Sequence, residues 1–400
     1  MEKVVMIGLG YIGLPTAALI ANGGVKVHGV DINQQVVDTI NRGEIHIVEP
    51  ELDVAVANAV KNGNLVADTK PVEANVYILV VPTPFKGNHE PDISYVEAAA
   101  KAITPLLKAD DLVIIESTSP VGTTETIMQQ IYAERVDLSD QLHFAYCPER
   151  VLPGNVMYEL VYNDRAIGGV TKQATEKALA FYHQFVKGEL HATNARTAEM
   201  CKLTENSSRD VQIAFANELS LICDKAGINV WELIKLANNH PRVNILQPGS
   251  GVGGHCIAVD PYFIVSEYPM ESQIIGKARE VNNYKSFWCA EKIQTAKLEF
   301  ELKNGRKPKV ALMGLSFKPD IDDLRESPAK YIVNRVIQND NNSEYFIVEP
   351  NIKEHKIFKL TAYNEAIEKA DIVAFLVAHK EFKKLKLEGK LVLDFCGVNK

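Results

Sequence analysis

The stretch "KVVMIGLGYIGLPTAALI", residues 3–20, decides the fold of the N-terminal part of the chain. A short β-branched run is followed by Gly8, Gly10 and Gly13 in the spacing G-x-G-x-x-G, and then by a helical pattern. Such a turn directs backbone N–H groups and a helix N-terminus towards a pyrophosphate. Asp31 ends the next apolar run, where a carboxylate can accept hydrogen bonds from both ribose hydroxyls. The stretch therefore predicts a dinucleotide site that favours NAD over NADP, because Asp31 would repel a 2′-phosphate.

Further apolar runs follow this turn and alternate with helical patterns. They read "VKVHGVD", "NVYILVVPTP", "DLVIIESTSP" and "HFAYCPE". Continuous runs rich in Val and Ile are typical of parallel strands that are buried on both faces. The first part of the chain is therefore predicted to be a doubly wound α/β domain.

The C-terminal part of the chain repeats this pattern. "KVALMGLSF" at 309–317 resembles "KVVMIGLGY" at 3–11, and "EYFIVEPN", "EKADIVAFLVAH" and "KLVLDFCG" follow in the places of later strands. Ser316 and Phe317 stand where the glycine fingerprint would continue. We therefore expect the second domain to bind something other than a dinucleotide.

Residues from about 195 to 295 contain few strand patterns. "RTAEMCKLTENSSRDVQIAFANELSLICDKAGI" carries a long helical pattern, and Gly227 is a suitable C-cap. The predicted fold class is α/β, with two Rossmann-like doubly wound parallel-sheet domains joined by a long central helix and a helical domain. The predicted domains are an NAD-binding domain at 1–194, a central helical domain at 195–300 and a C-terminal Rossmann-like domain at 301–400.

Composition limits the classes of partner. The formal net charge of −8 makes nucleic acid and acidic membrane surfaces poor partners, so a strongly anionic substrate needs a locally basic pocket. The six cysteines lie far apart and form no CxxC or Cys/His spacing. This favours reduced thiols in the cytoplasm and argues against a metal site.

One cysteine stands in an unusual setting. "GSGVGGHCIAVDP", residues 249–261, puts Cys256 behind a run of glycines and four residues ahead of Asp260. A lone thiol is most often a small buried hydrophobic group. Glycines, however, let the backbone approach a ligand closely and leave N–H groups to face an anion. Both interpretations of Cys256 stay open at this point.

Several polar residues carry charge near predicted strand ends and helix faces. Lys202, Asn206 and Arg209 stand at i, i+4 and i+7 and so share one helix face, which is either a solvated surface or a ligand site. Two further pairs follow a strand or interrupt a helix: Glu149 with Arg150, and His240 with Arg242. Together they place cations near candidate cleft edges, as an anionic sugar nucleotide would require.

Essentially the whole chain resembles the nucleotide-sugar 6-dehydrogenases of the UDP-glucose and GDP-mannose dehydrogenase superfamily. The resemblance rests on seven motifs in order: "GLGYIGLPTA", "VPTPFKG", "ESTSPVGTTE", "YCPERVLPG", "AEMCKLTENS", "GVGGHCIAVDP" and "FKPDIDDLRESP". UDP-glucose enzymes usually carry Phe where Val252 stands and Pro-Lys where Ala258 and Val259 stand. This difference favours an N-acetylated hexosamine over glucose. The motif "PERVLPG" is more similar to the branch that oxidises UDP-N-acetyl-D-mannosamine, with UDP-N-acetylglucosamine and UDP-glucose as alternative substrates.

The resemblance implies roles for individual residues. Cys256 is implied as the nucleophile and Lys202 as the proton donor and acceptor. The resemblance implies that four further residues assist catalysis by binding water or the oxyanion: Thr118, Glu149, Asn206 and Asp260. NAD is implied as the cofactor, held by Gly8, Gly10, Tyr11, Ile12, Gly13, Asp31, Thr83, Thr118 and Arg325. The UDP-sugar is implied to contact Arg150, Val151, Lys202, Asn206, Arg209, His240, Arg242, Gly253 and, from the C-terminal UDP-sugar-binding domain, Lys318.

The implied reaction oxidises the C6 alcohol to a carboxylate and yields two NADH, with a thiohemiacetal and a thioester on Cys256, for surface polysaccharide biosynthesis. A two-electron hydroxyacid dehydrogenase is the rival enzyme class, but it needs neither the cysteine nor a second α/β domain. A catalytically silent NAD-binding protein is the rival outside enzymology. A homodimer is predicted because the helix around 205–225 is apolar over more than one face, with Val211, Ile213, Phe215, Leu219 and Ile222.

Overall fold

A computed structural model describes residues 3–87, 89–152, 154–254, 256–340 and 343–398. The chain forms two units, Met1–Glu205 and Asn206–Lys400. Among the described residues, no helix is both long enough and apolar enough to cross a membrane. The division into three domains at 1–194, 195–300 and 301–400 stays a prediction.

The first unit contains an eight-stranded sheet and a short antiparallel pair, β5 with β6. The strands are β1 Lys3–Ile7, β2 Lys26–Val30, β3 Leu65–Asp68, β4 Val76–Leu79, β5 Phe85–Lys86, β6 Glu90–Pro91, β7 Leu112–Ile115, β8 His143–Tyr146, β9 Arg165–Gly169 and β10 Leu190–Asn194. The spatial order is β10-β9-β8-β7-β4-β1-β2-β3. The pairs are parallel apart from β8 with β9, which are antiparallel. The parallel sheet is thus confirmed, and β3, β9 and β10 extend it beyond the predicted strands.

Helices cover both faces of this sheet. They are α1 Gly13–Asn22, α2 Gln34–Asn41, α3 Leu52–Lys61, α4 Ser94–Ile103, α5 Thr123–Glu134, α6 Val156–Tyr162 and α7 Lys172–Tyr182. Alternate residues of one strand enter different cores: Val4 and Met6 of β1 join one apolar cluster, and Val5 and Ile7 join another. Strands buried on both faces are what the continuous apolar runs predict.

A helical segment follows β10 and crosses the boundary between the two units along the chain. It contains α8 Ala195–Ala226, α9 Val230–Ala237, α10 Asp260–Glu267 and α11 Gln273–Asn304. Gly227 directly follows α8 with φ +69°, which confirms it as the C-terminal glycine, because this left-handed backbone favours a residue without Cβ. A second helix of the same length, α11, was not part of the prediction.

The second unit ends in a smaller parallel sheet. Its strands are β11 Lys309–Met313, β12 Glu344–Val348, β13 Ile372–Phe375 and β14 Leu391–Asp394, in the order β12-β11-β13-β14, with helices α12 Pro328–Gln338 and α13 Tyr363–Lys369. The predicted repeat is visible in a pair of equivalent hydrogen bonds, one in each sheet. Gly8 N–H donates to Val30 O at 2.8 Å, and Gly314 N–H donates to Val348 O at 2.8 Å. The α/β fold class is confirmed.

Candidate active site

The glycine turn between β1 and α1 is shaped by backbone contacts. Gly8 has φ +96°, and a Cβ on it would lie 2.1 Å from Val80 O. A Cβ on Gly13 would lie 1.8 Å from Gly8 O, so the first turn of α1 packs directly on the loop. Around Gly10, in contrast, no described atom lies within 4 Å of such a Cβ. Two glycines are therefore required by packing, and the third leaves an open face where a ligand can approach the backbone.

Asp31 stands beside this turn, directly after β2. Its Oδ2 accepts the N–H of Leu9 at 3.2 Å, and its Oδ1 accepts the N–H of Asn33 at 2.9 Å. The residue is half-buried, and each carboxylate oxygen has a further lone pair that can accept a hydrogen bond from a ribose hydroxyl. His46, from the segment between α2 and α3, lies near the same carboxylate; burial lowers its pKa, and the charge of Asp31 partly opposes that effect.

The other predicted cofactor residues of the first unit stand at neighbouring strand ends. Thr83 follows β4 and Thr118 follows β7, and the Thr83 hydroxyl donates to Thr118 O at 2.6 Å. Tyr11 is exposed and Ile12 half-buried at the entry to α1. Because β1, β4 and β7 are adjacent and parallel, their carboxyl ends form one edge of the sheet.

Glu149 follows β8 at the same edge. It is 9 % exposed; its Oε2 accepts the N–H of Val151 at 2.9 Å, while its Oε1 has no hydrogen-bond partner among the described residues. The Lys202 ammonium donates to the carbonyl oxygen of Glu149 at 2.6 Å. The structure thus brings these two predicted catalytic residues together and leaves one buried carboxylate oxygen for a ligand or a water molecule.

The segment after Glu149 is held by carboxylates that the sequence analysis did not identify. Glu159 Oε2 accepts the N–H of Leu152 at 2.8 Å. Glu49, from the loop before α3, accepts the N–H of Gly154 at 2.9 Å and that of Val156 at 2.8 Å. The sequence signal for Glu49 was faint: it is one acid within the mixed segment "IHIVEPEL".

Arg150 lies at the surface beside this segment. Its guanidinium forms an ion pair with Glu205 at 2.7 Å and donates to Asp164 O at 3.2 Å. A cavity of about 170 Å³, including its open mouth, adjoins it and is lined by Pro148, Glu149, Arg150, Val151, Glu159, Asn163, Asp164 and Arg165. The cavity is lined by both cationic and acidic side chains, Arg150 and Arg165 with Glu149, Glu159 and Asp164, which suits a small polar group.

A buried ionic cluster lies near Glu149, at the ends of β7 and β8 and on β9. Arg165 Nη1 lies 3.9 Å from Glu116 Oε1, the Tyr182 hydroxyl donates to Glu116, and Arg165 Nη1 contacts Cys147 Sγ at 3.7 Å. Burial raises the pKa of Glu116 although Arg165 opposes the shift, and burial raises the pKa of Cys147 to about 11. The cluster fixes the strands that present Glu149; its thiol is an inert neutral group at neutral pH.

In the second unit, Cys256 lies on the turn that leads into α10, four residues before the helix begins. Its carbonyl accepts the N–H groups of Val259 and Asp260 at 3.0 and 2.8 Å. Asp260 opens α10 and is 3 % exposed, and its Oδ2 accepts a hydrogen bond from Asn206 Nδ2 at 2.5 Å. Two predicted catalytic residues, Asn206 and Asp260, therefore contact each other, and the half-buried Cys256 stands on the turn that they fix.

The glycines before Cys256 pack closely against neighbouring segments. A Cβ on Gly251 would lie 2.2 Å from Ser286 Oγ, and one on Gly253 would lie 2.5 Å from Glu326 O. The N–H of Gly254 donates to Arg325 O at 3.2 Å instead of facing an anion. The glycine run is thus required for close packing on the segments around it.

Two buried side chains fix the start of this glycine loop, and the sequence analysis missed both. Asn217 of α8 accepts the N–H of Gly249 at 2.9 Å through Oδ1, and Ser286 of α11 donates to Ser250 O at 2.9 Å. Asn217 in turn donates to Asn282, which donates to Asp210. Neither contact has a local sequence signal, because the two partners lie 32 and 36 residues apart in the chain.

The remaining predicted residues of the second unit lie at the surface. His240 and Arg242 occupy the exposed turn after α9, where Arg242 N–H donates to His240 Nδ1 at 3.3 Å. Arg209 and Lys318 are exposed. Arg325 pairs with Asp323 at 2.6 Å. Nothing in their own surroundings assigns these residues to a ligand, so their predicted contacts stay predictions.

Family models match most of the chain. The NAD binding domain of the UDP-glucose/GDP-mannose dehydrogenase family matches residues 2–186, its central domain matches 196–284, and its UDP binding domain matches 311–400. The chain belongs to the UDP-glucose/GDP-mannose dehydrogenase family. As a member it is an NAD-dependent dehydrogenase with a UDP-sugar substrate. The open face at Gly10 and the paired acceptors of Asp31 fit this cofactor.

Individual members of the UDP-glucose/GDP-mannose dehydrogenase family are similar over their full length. A UDP-N-acetyl-D-mannosamine dehydrogenase from Campylobacter jejuni is 56 % identical and covers 99 % of both chains. An NDP-N-acetyl-D-galactosaminuronic acid dehydrogenase from Ralstonia nicotianae is 52 % identical, covering 99 % of this chain and 96 % of its own. The solved structure of a UDP-D-ManNAc dehydrogenase from Pyrococcus horikoshii superposes with a TM-score of 0.88 at 38 % identity, covering 100 % of this chain and 96 % of that chain.

Proposed function

We propose that this dehydrogenase oxidises the C6 alcohol of UDP-N-acetyl-D-mannosamine to the carboxylate, giving UDP-N-acetyl-D-mannosaminuronate. The observation that carries the reaction type is the turn at Cys256, where a half-buried thiol stands four residues before Asp260, whose carboxylate is held by Asn206. Helix α8 carries Asn206 one turn after Lys202, so one helix supplies both residues. The choice of sugar is supported by the relative from Campylobacter jejuni.

The thiol explains how an aldehyde is oxidised further. A free aldehyde is a poor hydride donor until a nucleophile adds to its carbonyl carbon. Addition of the Cys256 thiolate gives a thiohemiacetal whose C–H bond can break, and loss of hydride leaves a thioester that water hydrolyses to the acid and the free thiol. NAD, when bound, would accept one hydride in each of the two oxidations, so one alcohol, one water and two NAD+ give one carboxylate, two NADH and three protons.

The chain's own groups divide the proton transfers. We assign Lys202 to the alcohol and to the oxyanion that develops, since its ammonium can both donate and, once deprotonated, accept. Glu149 presents Oε1 as the acceptor that orients water for hydrolysis of the thioester, together with Thr118. Asn206 and Asp260 keep the Cys256 turn in place and supply a donor for the oxyanion.

The UDP moiety requires cations in an otherwise acidic chain. We assign Arg150, Arg209, Arg242 and Lys318 to its phosphates, with His240, Val151 and Gly253 at the sugar nucleotide and Arg325 near NAD. Arginine binds phosphate through two parallel N–H groups, whereas lysine acts as a point charge. The exposure of these cations suits a site that a charged substrate covers on binding.

A panel of substrates tests the proposal. Purified enzyme with NAD is mixed with UDP-N-acetylmannosamine, UDP-N-acetylglucosamine, UDP-N-acetylgalactosamine or UDP-glucose, and NADH is followed by absorbance. We expect the highest kcat/KM for UDP-N-acetylmannosamine and two NADH per sugar consumed. The relative from Ralstonia nicotianae makes a galactosamine derivative the second candidate, and a higher kcat/KM with another sugar would reject the first.

We also propose a homodimer that buries the exposed face of α8, in the cytoplasm, where the product enters surface polysaccharide synthesis. Phe215 and Ile222 are each 54 % exposed in the single chain. Apolar side chains of this size on one helix are covered by a second surface in a stable protein. Sedimentation at micromolar concentration is expected to give a dimer that Phe215→Glu dissociates; a monomeric wild-type enzyme would reject the proposal.

A further inference from the structure

The two glycine turns of the chain are each bound by an acid from the following strand. In the N-terminal repeat, Asp31 accepts the N–H groups of Leu9 and Asn33 at 3.2 and 2.9 Å. In the C-terminal repeat, Glu349 accepts the N–H of Leu315 at 2.8 Å and that of Asn351 at 3.1 Å. Leu315 and Asn351 are the counterparts of Leu9 and Asn33 in the repeat. The two acids therefore make the same backbone contacts.

The second turn is closed where the first is open. Ser316 takes the place of Gly10, and its N–H also donates to Glu349, at 2.9 Å. Glu349 is 4 % exposed, and the fully buried His379 lies against it, with Nε2 3.1 Å from Glu349 Oε2. The carboxylate that could face a ribose in the N-terminal repeat is thus enclosed by the protein's own donors in the C-terminal one.

The hydrogen bonds of His379 define the tautomer of its neutral ring. Its Nδ1 accepts the backbone N–H of Asp320 at 3.0 Å and lies 3.0 Å from Asn351 Nδ2, so in the neutral ring this nitrogen carries no proton. Nε2 therefore carries the proton and donates it to Glu349. Nδ1 lies with carboxylate oxygens of Asp320 and Glu381 in an arrangement that could surround a cation, but its lone pair is occupied by the N–H. The geometry therefore indicates that His379 positions the backbone at Asp320 and does not bind a metal ion.

Hydrogen bonds fix both ends of the segment that carries Lys318, at Ser316 and at Asp320. On one side the Ser316 hydroxyl donates to Lys318 O at 2.8 Å. On the other side Asp320 N–H is bound by His379, and Asp320 Oδ1 accepts the N–H of Lys380 at 3.0 Å. Asp320 has φ +61°, an uncommon conformation for a residue with Cβ that such contacts maintain. The Lys318 side chain itself is exposed.

We propose that Glu349 and His379 are positioning residues that hold the Lys318 segment so that its ammonium meets a phosphate of UDP. The inference rests on the proposed role of Lys318. It explains why the C-terminal repeat keeps the acid after its second strand although it has lost the glycine fingerprint. The acid fixes the turn from inside, and the segment beyond the turn presents a cation to the nucleotide.

Calorimetric titration with UDP and, separately, with NAD tests this positioning without requiring turnover of any sugar. Lys318→Ala and His379→Leu are each expected to weaken UDP binding roughly tenfold, as for the loss of one charge-assisted hydrogen bond. Both variants are expected to leave the dissociation constant for NAD unchanged. His379→Asn, whose side-chain oxygen can still accept the N–H of Asp320, is expected to recover most of the affinity for UDP.

A double variant separates positioning from general damage. If His379 acts through Lys318, then adding His379→Leu to Lys318→Ala changes UDP affinity no further. Four outcomes would each overturn the inference. They are additive losses of UDP affinity in the double variant, equal losses of UDP and NAD affinity, wild-type UDP affinity in His379→Leu, and wild-type UDP affinity in Lys318→Ala. Should His379→Leu fail to fold, the lack of recovery in a folded His379→Asn variant would also overturn it. Failure of the substrate assignment would give a different result. The enzyme would then produce NADH with another UDP-sugar, while the UDP affinities of these variants would be as expected.

Discussion

The carboxylate of Asp31 accepts the backbone N–H of Leu9, with 3.2 Å between Leu9 N and Asp31 Oδ2. A carboxylate fixed in this way cannot turn away from the glycine turn to admit a second anion. At an effective dielectric of about 20, two unit charges about 4 Å apart repel by about 4 kcal/mol. We therefore predict a kcat/KM for NAD at least about 100-fold above that for NADP, measured with saturating sugar nucleotide.

Two variants check the source of this preference. Asp31→Ser is expected to lower kcat/KM with NAD and to reduce the discrimination against NADP. Asp38→Asn is the control, because Asp38 is an exposed acid of the neighbouring helix α2. Comparable efficiency with both cofactors in the wild type would contradict the prediction.

A second prediction concerns Glu49, which accepts two N–H groups of the segment after Glu149, from Gly154 and Val156. In Glu49→Gln, one carboxylate oxygen is replaced by an NH2 group that faces an N–H donor. We expect the loosened segment to raise KM for the UDP-sugar about tenfold, with little change in KM for NAD, because one buried hydrogen bond is lost and one donor is left unpaired.

Glu44→Gln is the matched control for Glu49, since Glu44 belongs to the same connecting loop but pairs with Arg42 at the surface. Surface pairs contribute little, so its kinetics are expected to equal those of the wild type. A Glu49→Gln enzyme with an unchanged KM for the sugar, or with KM raised equally for both substrates, would show that this carboxylate does not act on the sugar segment.

The sequence predicted the elements whose signals are local. The glycine fingerprint, the apolar runs of β1, β4 and β7, and Gly227 at the end of α8 each depend on a few neighbouring residues, and the structure places all of them as expected. Strand β10 was missed because its residues are half-buried or exposed and show no apolar run. The antiparallel join of β8 and β9 depends on the order of strands in space, which no local pattern encodes.

The candidate site was predictable only where a side chain carries its own chemistry. Cys256, Lys202 and Asp260 carry such chemistry and were predicted from the sequence, and their catalytic roles stay predictions. Glu49 and Asn217 act on backbone N–H groups 105 and 32 residues away, so their roles exist only in the folded chain. The close packing of Gly251 and Gly253 on Ser286 and Glu326 likewise exists only in the folded chain, and the predicted contact of Gly253 with a ligand stays a prediction.

A third prediction follows from the pKa of Glu349. Burial alone would raise this pKa, but the hydrogen bond and the charge of His379, together with hydrogen bonds from backbone N–H groups, outweigh it and lower the pKa from 4.5 to about 2. Because the folded-state pKa is depressed, the stabilisation is present above about pH 4.5 and is lost as the pH falls towards 2. The shift corresponds to a contribution on the order of 3 kcal/mol to the free energy of unfolding at neutral pH.

Urea unfolding of the wild type and of Glu349→Gln between pH 7 and pH 2.5 measures this contribution. We expect the wild type to be more stable at pH 7 and the difference between the two to shrink steadily below about pH 4.5. Glu365→Gln is the control, because Glu365 is an exposed acid of the same C-terminal sheet domain. A difference that stays constant across this pH range would mean that ionisation of Glu349 does not stabilise the fold.

The last prediction concerns the two halves of the reaction and the sulfur of Cys256. Cys256→Ala is expected to keep the fold and NAD affinity, because the half-buried side chain loses one atom and its carbonyl still accepts the N–H of Asp260. Oxidation to the acid should fall by at least about 1,000-fold, since the aldehyde loses its covalent route to a hydride donor. Cys256→Ser should instead accumulate an ester adduct, visible by intact-protein mass spectrometry, because an ester hydrolyses more slowly than a thioester. Cys396→Ala, which removes another half-buried thiol, should still yield two NADH per sugar with no aldehyde trapped by hydroxylamine. If Cys256→Ala also made two NADH at a near wild-type rate, the thiol would only fill space on the turn before α10.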